Sequence, residues 1–210
     1  MPPGTDQRGR LIALEGLDGC GKSTQARILA EALGGLLTFE PGATALGTAI
    51  RPLLLSTASP ISPPAEALLM AADRAQHVDE VIAPALQAGR WVVTDRYNGS
   101  TLAYQGWGRG LGVEGLLPVL AFATGGLSPD LTVLVEVPVE VARERMGAAE
   151  PDRLERLDAA FHQRVADGYR ALARSEDGWA VVDGTGSLDE VAKAVAEAVA
   201  GRVGWPGVAR

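Results

Sequence analysis

Five short apolar runs recur along the chain, and each is separated from the next by a long stretch rich in Ala and Leu. A run of four or five apolar residues suits a strand that is buried on both faces, and the stretches between the runs are long enough for helices. Strands that alternate with helices form a parallel sheet covered on both sides. The sequence therefore predicts a three-layer α/β/α fold with five parallel strands at residues 11–14, 36–39, 91–94, 131–135 and 179–182.

The length and composition favour a single domain with a sizeable core. The chain has 210 residues, of which 47% are hydrophobic and 21% charged, and it shows no internal repeat and no linker-like segment. Segments rich in Pro and Gly are predicted to be loops within the domain, at residues 41–47, 56–64 and 106–112. We expect a flexible N-terminus over residues 1–9, one domain over residues 10–203, and a C-terminal tail over residues 204–210.

The charge and the cysteine content exclude several classes of partner. A net charge of −7 argues against nucleic acid or an acidic membrane as a general partner, because both require broad positive fields. The single cysteine, Cys20, cannot form a disulfide within the chain, and the first residues lack the apolar core of a signal peptide. No apolar run approaches the roughly 18 residues that a membrane helix needs. We therefore expect a cytoplasmic protein.

A phosphate-binding loop is indicated at the end of the first apolar run. Residues 16–23 have the spacing G-x-x-x-x-G-K-[ST] and lie between a predicted strand and a helix predicted over residues 22–33. The glycines let backbone N–H groups converge on a phosphate, while Lys22 bridges phosphates and the Ser23 hydroxyl binds Mg²⁺. A glycine-rich turn capped by Ser23 is the alternative, but it does not explain Lys22. The predicted phosphate-binding residues are Gly16, Leu17, Asp18, Gly19, Cys20, Gly21, Lys22, Ser23 and Thr24.

The third apolar run supplies a second part of the same site. It ends at Asp95, which places a carboxylate near Mg²⁺, partly through water. Together the two motifs predict a P-loop NTPase fold that binds a nucleoside triphosphate with Mg²⁺. They also raise a question, because Asp18 places a negative charge inside a loop built for phosphate.

Five segments, taken in order, resemble the thymidylate kinase family. They are EGLDGCGKST at 15–24, FEPGAT at 39–44, AEALLMAADRAQH at 65–77, DRYNGSTLAYQG at 95–106, and PDLTVLVEVPVEVARER at 129–145 followed by DRLE at 152–155. The run beginning at Asp95 is the most discriminating, since many kinases share the phosphate loop. The resemblance covers residues 10 to 200 and implies transfer of the γ-phosphoryl group of ATP to dTMP. It also implies a homodimer, formed through apolar helix faces such as that of residues 65–88.

The resemblance implies a binding site for dTMP at the ends of the strands. In it, Arg96 holds the dTMP phosphate, Arg74 reaches the base or phosphate region, and Tyr104 lies against the 2′ carbon and favours deoxyribose. Asp18 points away from the ATP phosphates toward the 3′-hydroxyl of the acceptor. For Arg74 a solvated position on the helix surface is the alternative. The implied dTMP-binding residues are Asp18, Glu40, Met70, Arg74, Arg96, Ser100, Thr101, Tyr104 and Gln105.

An arginine-bearing lid is implied over residues 143–155. The phosphate loop has no arginine from Leu17 to Cys20. The resemblance therefore implies that lid arginines supply the positive charge that stabilises the transferred phosphoryl group. Arg153 is the first choice, and a surface helix with salt bridges is the alternative for Arg145. The implied catalytic residues are Lys22, Arg96, Arg153 and Asp18, and those of the lid and adenine region are Arg143, Arg145, Arg153, Asp183 and Gly184.

Three positions leave alternatives open. The family often has Arg where this chain has Phe39, Gly at the position of Ala43, and Phe at the position of Met70. These changes keep another nucleoside monophosphate kinase under consideration, and a nucleotide-binding module without phosphoryl transfer is a third hypothesis. Cys20 is a candidate oxidation switch because it lies beside a helix start, although it is better explained as a small residue at a position where members of the family have alanine.

Overall fold

The central element of the protein is a five-stranded parallel sheet. The structure is a computed structural model, and it describes residues 8–58, 60–147, 150–175 and 177–205. The strand order is β2-β3-β1-β4-β5, and the strands are β1 (Leu11–Glu15), β2 (Leu36–Phe39), β3 (Val92–Asp95), β4 (Leu131–Glu136) and β5 (Trp179–Asp183). The predicted α/β fold with five parallel strands is confirmed. Each predicted strand matches an observed one to within a residue or two, and Asp95 is the last residue of β3 rather than the first residue after it.

Helices cover both faces of the sheet. They are α1 (Lys22–Leu33), α2 (Ala45–Leu55), α3 (Pro63–His77), α4 (Ala83–Gln87), α5 (Asn98–Thr101), α6 (Val113–Thr124), α7 (Val139–Met146), α8 (Ala159–Ser175) and α9 (Leu188–Val203). Along β1, Ile12 and Leu14 pack into the larger apolar core, while Leu11 and Ala13 pack into a smaller core on the other face. The first four residues of the strand are therefore apolar on both faces, as expected for a sheet buried on both sides. Within the described ranges, no helix combines the length and the hydropathy that a bilayer crossing requires.

Two helical segments contain π-helical turns that the sequence pattern did not indicate. The helix predicted over residues 65–88 begins two residues earlier, at Pro63, and Val78–Ile82 is π-helical between α3 and α4. The loop predicted over residues 106–112 is wrong in its first half, because Leu102–Gly108 is a π-helix that continues α5. Gly108 serves packing here: a Cβ at this position would lie 2.6 Å from a ring carbon of Phe161 in α8.

The two chain ends lie only partly within the described residues. Gly9 is buried and donates a backbone hydrogen bond to Leu86, and Arg10 pairs with Asp130 at 2.8 Å. Residues 1–7 of the predicted flexible N-terminus and residues 206–210 of the predicted tail lie outside the described ranges.

The topology brings the predicted site residues to one edge of the sheet. In the register of β1 with β3, Leu14 lies beside Asp95, so the loop after β1 and the segment after β3 leave the sheet together. Ligands of open parallel sheets bind at the carboxyl ends of the strands, where neighbouring connections diverge to opposite faces. The phosphate loop and Arg96 therefore share one cleft.

Candidate active site

The loop from Gly16 to Gly21 has a backbone conformation that favours glycine at several positions. Gly16, Gly19 and Gly21 have φ values of 143°, 82° and 94°. A Cβ on Gly19 would lie 2.1 Å from the Ala142 carbonyl oxygen, so the loop also packs tightly against α7. Gly21 is the residue before α1, whose first N–H groups therefore face the loop, as in a phosphate site.

Lys22 and Asp95 carry the polar groups expected beside phosphates and a cation. Lys22 is 5% exposed, and its Nζ donates a hydrogen bond to the Leu17 carbonyl at 3.2 Å. One carboxylate oxygen of Asp95 is buried and has no hydrogen-bond partner among the residues that the structure describes. Asp95 lines the same cleft as Ser23. An unpaired carboxylate oxygen and a hydroxyl fit Mg²⁺, which takes few protein ligands when phosphates supply others.

No group of three His, Cys, Asp or Glu side chains suited to a metal ion occurs in the described part of the chain.

Asp18 is surrounded by donors, which answers how a carboxylate is tolerated in this loop. The Tyr104 hydroxyl donates to Asp18 at 2.8 Å, the Arg96 guanidinium donates to the other carboxylate oxygen, and Lys22 Nζ lies 3.3 Å from that second oxygen. Burial by itself raises the pKa of Asp18, but Arg96 and Lys22 outweigh burial and hold the pKa far below its usual range. Asp18 is therefore ionised and directed toward Arg96.

Arg96 adopts an unusual backbone conformation that places its guanidinium in the cleft. Its φ is 75°, which is uncommon for a residue other than glycine. Its Nη1 donates to the Ser100 hydroxyl at 2.9 Å, and the guanidinium carbon lies 5.1 Å from the centre of the Tyr104 ring. Strained residues of this kind cluster at functional sites. The guanidinium presents a planar set of donors that matches phosphate oxygens.

Glu15 holds the segment after Arg96, and sequence reasoning did not select it. Its side chain is fully buried, and one carboxylate oxygen accepts from the backbone N–H groups of Tyr97 at 2.9 Å and Ser100 at 3.0 Å. The other oxygen accepts from the hydroxyls of Ser100 and Tyr169. Burial raises the pKa of Glu15, while these hydrogen bonds favour its ionised form. The available signal was a carboxylate inside an apolar strand, whereas nothing in the local sequence marked Tyr169.

Arg74 is buried and bonded to three other residues, so the alternative of a solvated position on the helix surface is wrong. The residue is 1% exposed. Its Nε donates to Glu40 at 2.7 Å, Nη1 to the Thr101 hydroxyl at 2.9 Å, and Nη2 to the Tyr97 carbonyl at 2.9 Å. Glu40 also bonds His77 at 2.9 Å. These bonds tie α3 to the loop after β2 and to the segment after β3.

One cleft of about 210 Å³ gathers most of the predicted residues. It contains every residue predicted for dTMP and for Mg²⁺, together with Lys22. Sequence reasoning missed five further lining residues, which are Pro41, Arg51, Leu55, Asp152 and Leu154. Phe39 and Met70, where the chain differs from the pattern it resembles, are both in the wall.

The three predicted lid arginines lie in different environments. Arg143 is exposed at the end of α7. Arg145 donates to the Gly184 carbonyl at 2.8 Å, so it contacts the predicted adenine loop rather than a helix carboxylate. Arg153 lies 2.7 Å from Glu66 and donates to the Leu54 carbonyl at 2.8 Å. Residues 148 and 149 of the predicted lid lie outside the described residues.

Two other predicted residues have local roles in the structure. The Asp183 carboxylate accepts from the N–H of Thr185 at 2.8 Å and from its hydroxyl at 2.7 Å, which shapes the loop after β5. Cys20 is 2% exposed, and burial raises the pKa of its thiol. A buried thiol with a raised pKa reacts slowly, which argues against the oxidation switch.

Comparison with known proteins gives one consistent result. The family model described as Thymidylate kinase matches residues 14–195. A thymidylate kinase from Carboxydothermus hydrogenoformans is 50% identical over 190 residues, which are 88% of this chain and 93% of that protein. Thymidylate kinases from Prochlorococcus marinus and Cupriavidus necator are 47% and 46% identical, over 89% and 90% of this chain and 92% and 98% of their own lengths.

Proposed function

Because the chain belongs to the thymidylate kinase family, we propose that the cleft binds dTMP beside ATP·Mg²⁺ and that the residues described above divide between the two nucleotides. The chain is a phosphotransferase, which transfers the γ-phosphoryl group of ATP to dTMP and yields dTDP and ADP. One observation carries the proposed division: Asp18 lies within the phosphate loop, yet it is bonded to Arg96 and Tyr104 of the adjoining pocket. A loop of this kind contacts both substrates.

The donor half consists of the phosphate loop and the start of α1. Backbone N–H groups from Gly16 to Thr24 hold the ATP phosphates, and Lys22 bridges the β- and γ-phosphates. Ser23 and Asp95 hold Mg²⁺, Asp95 partly through water, and the bound ion offsets charge on the phosphate oxygens. Lys22 must release its contacts with Leu17 and Asp18 to reach a phosphate, and both contacts exceed 3.1 Å.

The acceptor half consists of the segment after β3 and the facing part of α3. Arg96 binds the dTMP phosphate, and Asp18 accepts a hydrogen bond from the 3′-hydroxyl. Tyr104 closes the space at the 2′ carbon, so an added hydroxyl is excluded. Met70, Ser100, Thr101 and Gln105 line the nucleoside, while Glu40 and Arg74 brace the wall. Catalysis is then a matter of positioning and charge, without a covalent intermediate.

The lid completes the site from the ATP side. Arg143 and Arg145, with Asp183 and Gly184, border the adenine and the outer phosphates, and Arg153 supports the transferred phosphoryl group. A well-placed arginine of this kind is worth roughly 10³ to 10⁵ in rate. The Asp152 and Leu154 side chains, on either side of Arg153, line the same cleft.

We also propose that the protein is a cytoplasmic homodimer without a nucleic-acid or membrane partner. The net charge of −7 argues against nucleic acid or an acidic membrane as a partner, because both require broad positive fields. Leu68 on α3 is 58% exposed, which supports a dimer interface on that helix.

The test is a coupled assay of ADP release from ATP with dTMP, dUMP, dCMP, dAMP and dGMP as separate acceptors. We expect release that depends on dTMP and on Mg²⁺, with kcat/KM for dTMP higher than for each of the other acceptors. Preference for another monophosphate would favour a different nucleoside monophosphate kinase. Release that no acceptor stimulates would favour a nucleotide-binding module and overturn the proposal.

A further inference from the structure

Glu66, in the first turn of α3, is the shared acceptor for three side chains from two other parts of the chain. The residue is fully buried. One carboxylate oxygen accepts from Gln105 at 2.8 Å and from Arg109 Nε at 3.2 Å. The other lies 2.8 Å from Arg109 Nη2 and 2.7 Å from Arg153 Nη1. One carboxylate therefore joins α3, the π-helical segment with the residue after it, and the lid.

The cluster contains more positive charge than negative charge. Two guanidinium groups share a single carboxylate, and their side chains are only 18% exposed for Arg109 and 12% for Arg153. Burial by itself raises the pKa of Glu66, but hydrogen bonds from Arg109, Gln105 and Arg153 outweigh it and hold the pKa below its usual range. Removal of the carboxylate charge leaves two poorly solvated cations close together, so Arg153 is then expected to leave its place.

The cluster connects the lid to the wall of the acceptor cleft. Gln105 belongs to the acceptor cleft, and the residues on both sides of Arg153 line the same cleft. Arg153 is further fixed because Nε donates to the Leu54 carbonyl and its backbone N–H donates to the Leu55 carbonyl. Its Nη2 is buried and has no hydrogen-bond partner within the described ranges. Arg153 is thus held rigidly with one donor still unused.

We propose that Glu66 is a positioning residue, which fixes Arg153 at the edge of the acceptor cleft and links its placement to Gln105 in the cleft wall. The inference rests on the proposed function of Arg153 in the lid. Its physical basis is that phosphoryl transfer depends mainly on placing charge correctly before the reaction. A lid arginine that is anchored by a buried carboxylate loses little further freedom when the substrates bind.

A double-mutant cycle tests the proposal. The four proteins are the parent, Glu66→Gln, Arg153→Ala and the double variant, and kcat and KM for dTMP and for ATP are measured for each, together with the thermal unfolding midpoint. We expect Glu66→Gln to lower kcat roughly tenfold or more in the parent, but less than about threefold when Arg153 is already Ala. KM for ATP should change little.

An equal fall in kcat in both backgrounds would overturn the proposal, because Glu66 would then act independently of Arg153. Arg109→Ala is the matched control: it removes the other cation from Glu66 without touching the lid, and its effect on kcat should be smaller than that of Arg153→Ala. If Glu66→Gln does not fold, the cycle is run with Glu66→Asp under the same criterion. Loss of dTMP-dependent turnover in the parent would count against the proposed function, whereas additive effects in an active enzyme count only against Glu66.

Discussion

At the scale of single residues, ionised side chains in the cleft are kept in place by their immediate neighbours. Asp18 is held by Arg96, Lys22 and Tyr104, and Arg96 is in turn held by Ser100. An isolated Asp beside the ATP phosphates would be repelled, but a carboxylate flanked by two cations is compatible with a bound nucleotide. Arg96 and Tyr104 hold Asp18 toward the pocket that we propose for the acceptor.

Replacing Asp18 should therefore affect the acceptor more than the donor. Asp18→Ala removes both the charge that pairs with Arg96 and the acceptor for the sugar hydroxyl. We expect kcat/KM for dTMP to fall by roughly 10²-fold, a loss of about 3 kcal/mol in transition-state stabilisation, with the Kd for ATP changed less than about threefold. Steady-state kinetics and calorimetric titration with ATP measure the two effects. Tyr104→Phe, which removes only one partner of Asp18, is the control, and an equal loss of ATP affinity would contradict the assignment.

Asp73 should give the protein a distinct dependence of stability on pH. It is buried, accepts from the Gly42 N–H at 2.9 Å and is close to Glu40, Arg74 and His77. Burial, reinforced by Glu40, raises the pKa of Asp73 from 3.8 to about 6. Between these values the folded chain retains a proton that the unfolded chain has lost. The contribution of Asp73 to the free energy of unfolding therefore decreases as pH rises through this window.

Asp73→Asn cannot ionise and should lack this decrease. Relative to the parent, the variant should gain on the order of 1–3 kcal/mol in free energy of unfolding between about pH 4.5 and pH 7.5. Urea unfolding at several pH values measures the difference. Asp79→Asn, an exposed carboxylate shortly after Asp73, is the control and should follow the parent. A constant difference between Asp73→Asn and the parent would show that the raised pKa does not contribute.

At the scale of elements, the phosphate loop combines two separate demands on glycine. Gly19 and Gly21 both have positive φ, but their surroundings differ. A Cβ on Gly19 would enter the backbone of α7, whereas a Cβ on Gly21 would meet no atom within 4 Å. The loop is therefore shaped partly by local conformation and partly by the lid helix that packs against it.

The pair Gly19→Ala and Gly21→Ala separates these demands. Both substitutions place a side chain at positive φ and cost about 1 kcal/mol or more through backbone strain. Only Gly19→Ala must also displace α7, so we expect it to weaken ATP binding at least about tenfold more than Gly21→Ala and to lower the unfolding midpoint further. Titration of each variant with ATP and thermal unfolding give the comparison. Equal effects would mean that packing against α7 does not shape the loop.

At the scale of the whole molecule, exposed apolar side chains occur on three neighbouring helices, α2, α3 and α6, with α3 in the middle. α3 packs against both α2 and α6. Leu53 on α2 is 57% exposed, Leu68 on α3 is 58% exposed and Phe122 on α6 is 91% exposed. Large apolar side chains exposed on adjoining helices are typical of an interface between protein chains.

Leu68→Glu should accordingly separate the proposed dimer. Burying the carboxylate that this substitution introduces would cost more free energy than the apolar contact of Leu68 contributes to the dimer. We therefore expect the mass in sedimentation equilibrium to fall to that of one chain. Leu188→Glu is the matched control, because Leu188 is 52% exposed but begins α9, away from these helices. A dimer that persists in Leu68→Glu, or a parent protein that is monomeric, would refute this interface.

The sequence by itself determined the features that depend on residues close together in the chain. The order of strands and helices along the chain, the phosphate loop, and the position of Asp95 at the end of β3 all follow from local periodicity and spacing. The resemblance to a kinase family added the acceptor residues, which the cleft brings together. The glycines at 106 and 108 misled the pattern, because both lie in a π-helix rather than a turn, and Gly108 is there to allow close packing against Phe161.

Only the tertiary structure decided how distant side chains share one carboxylate. Glu15 bonds Ser100 and Tyr169, which lie 85 and 154 residues away in the chain, and Glu66 bonds Gln105 and Arg109, 39 and 43 residues away. The register of the sheet and the packing of α8 and the lid bring these groups together. Because these carboxylates are buried, loss of a hydrogen-bond partner would leave a charge unpaired and destabilise the fold. No local pattern encodes such a contact, because each partner alone is an ordinary polar residue.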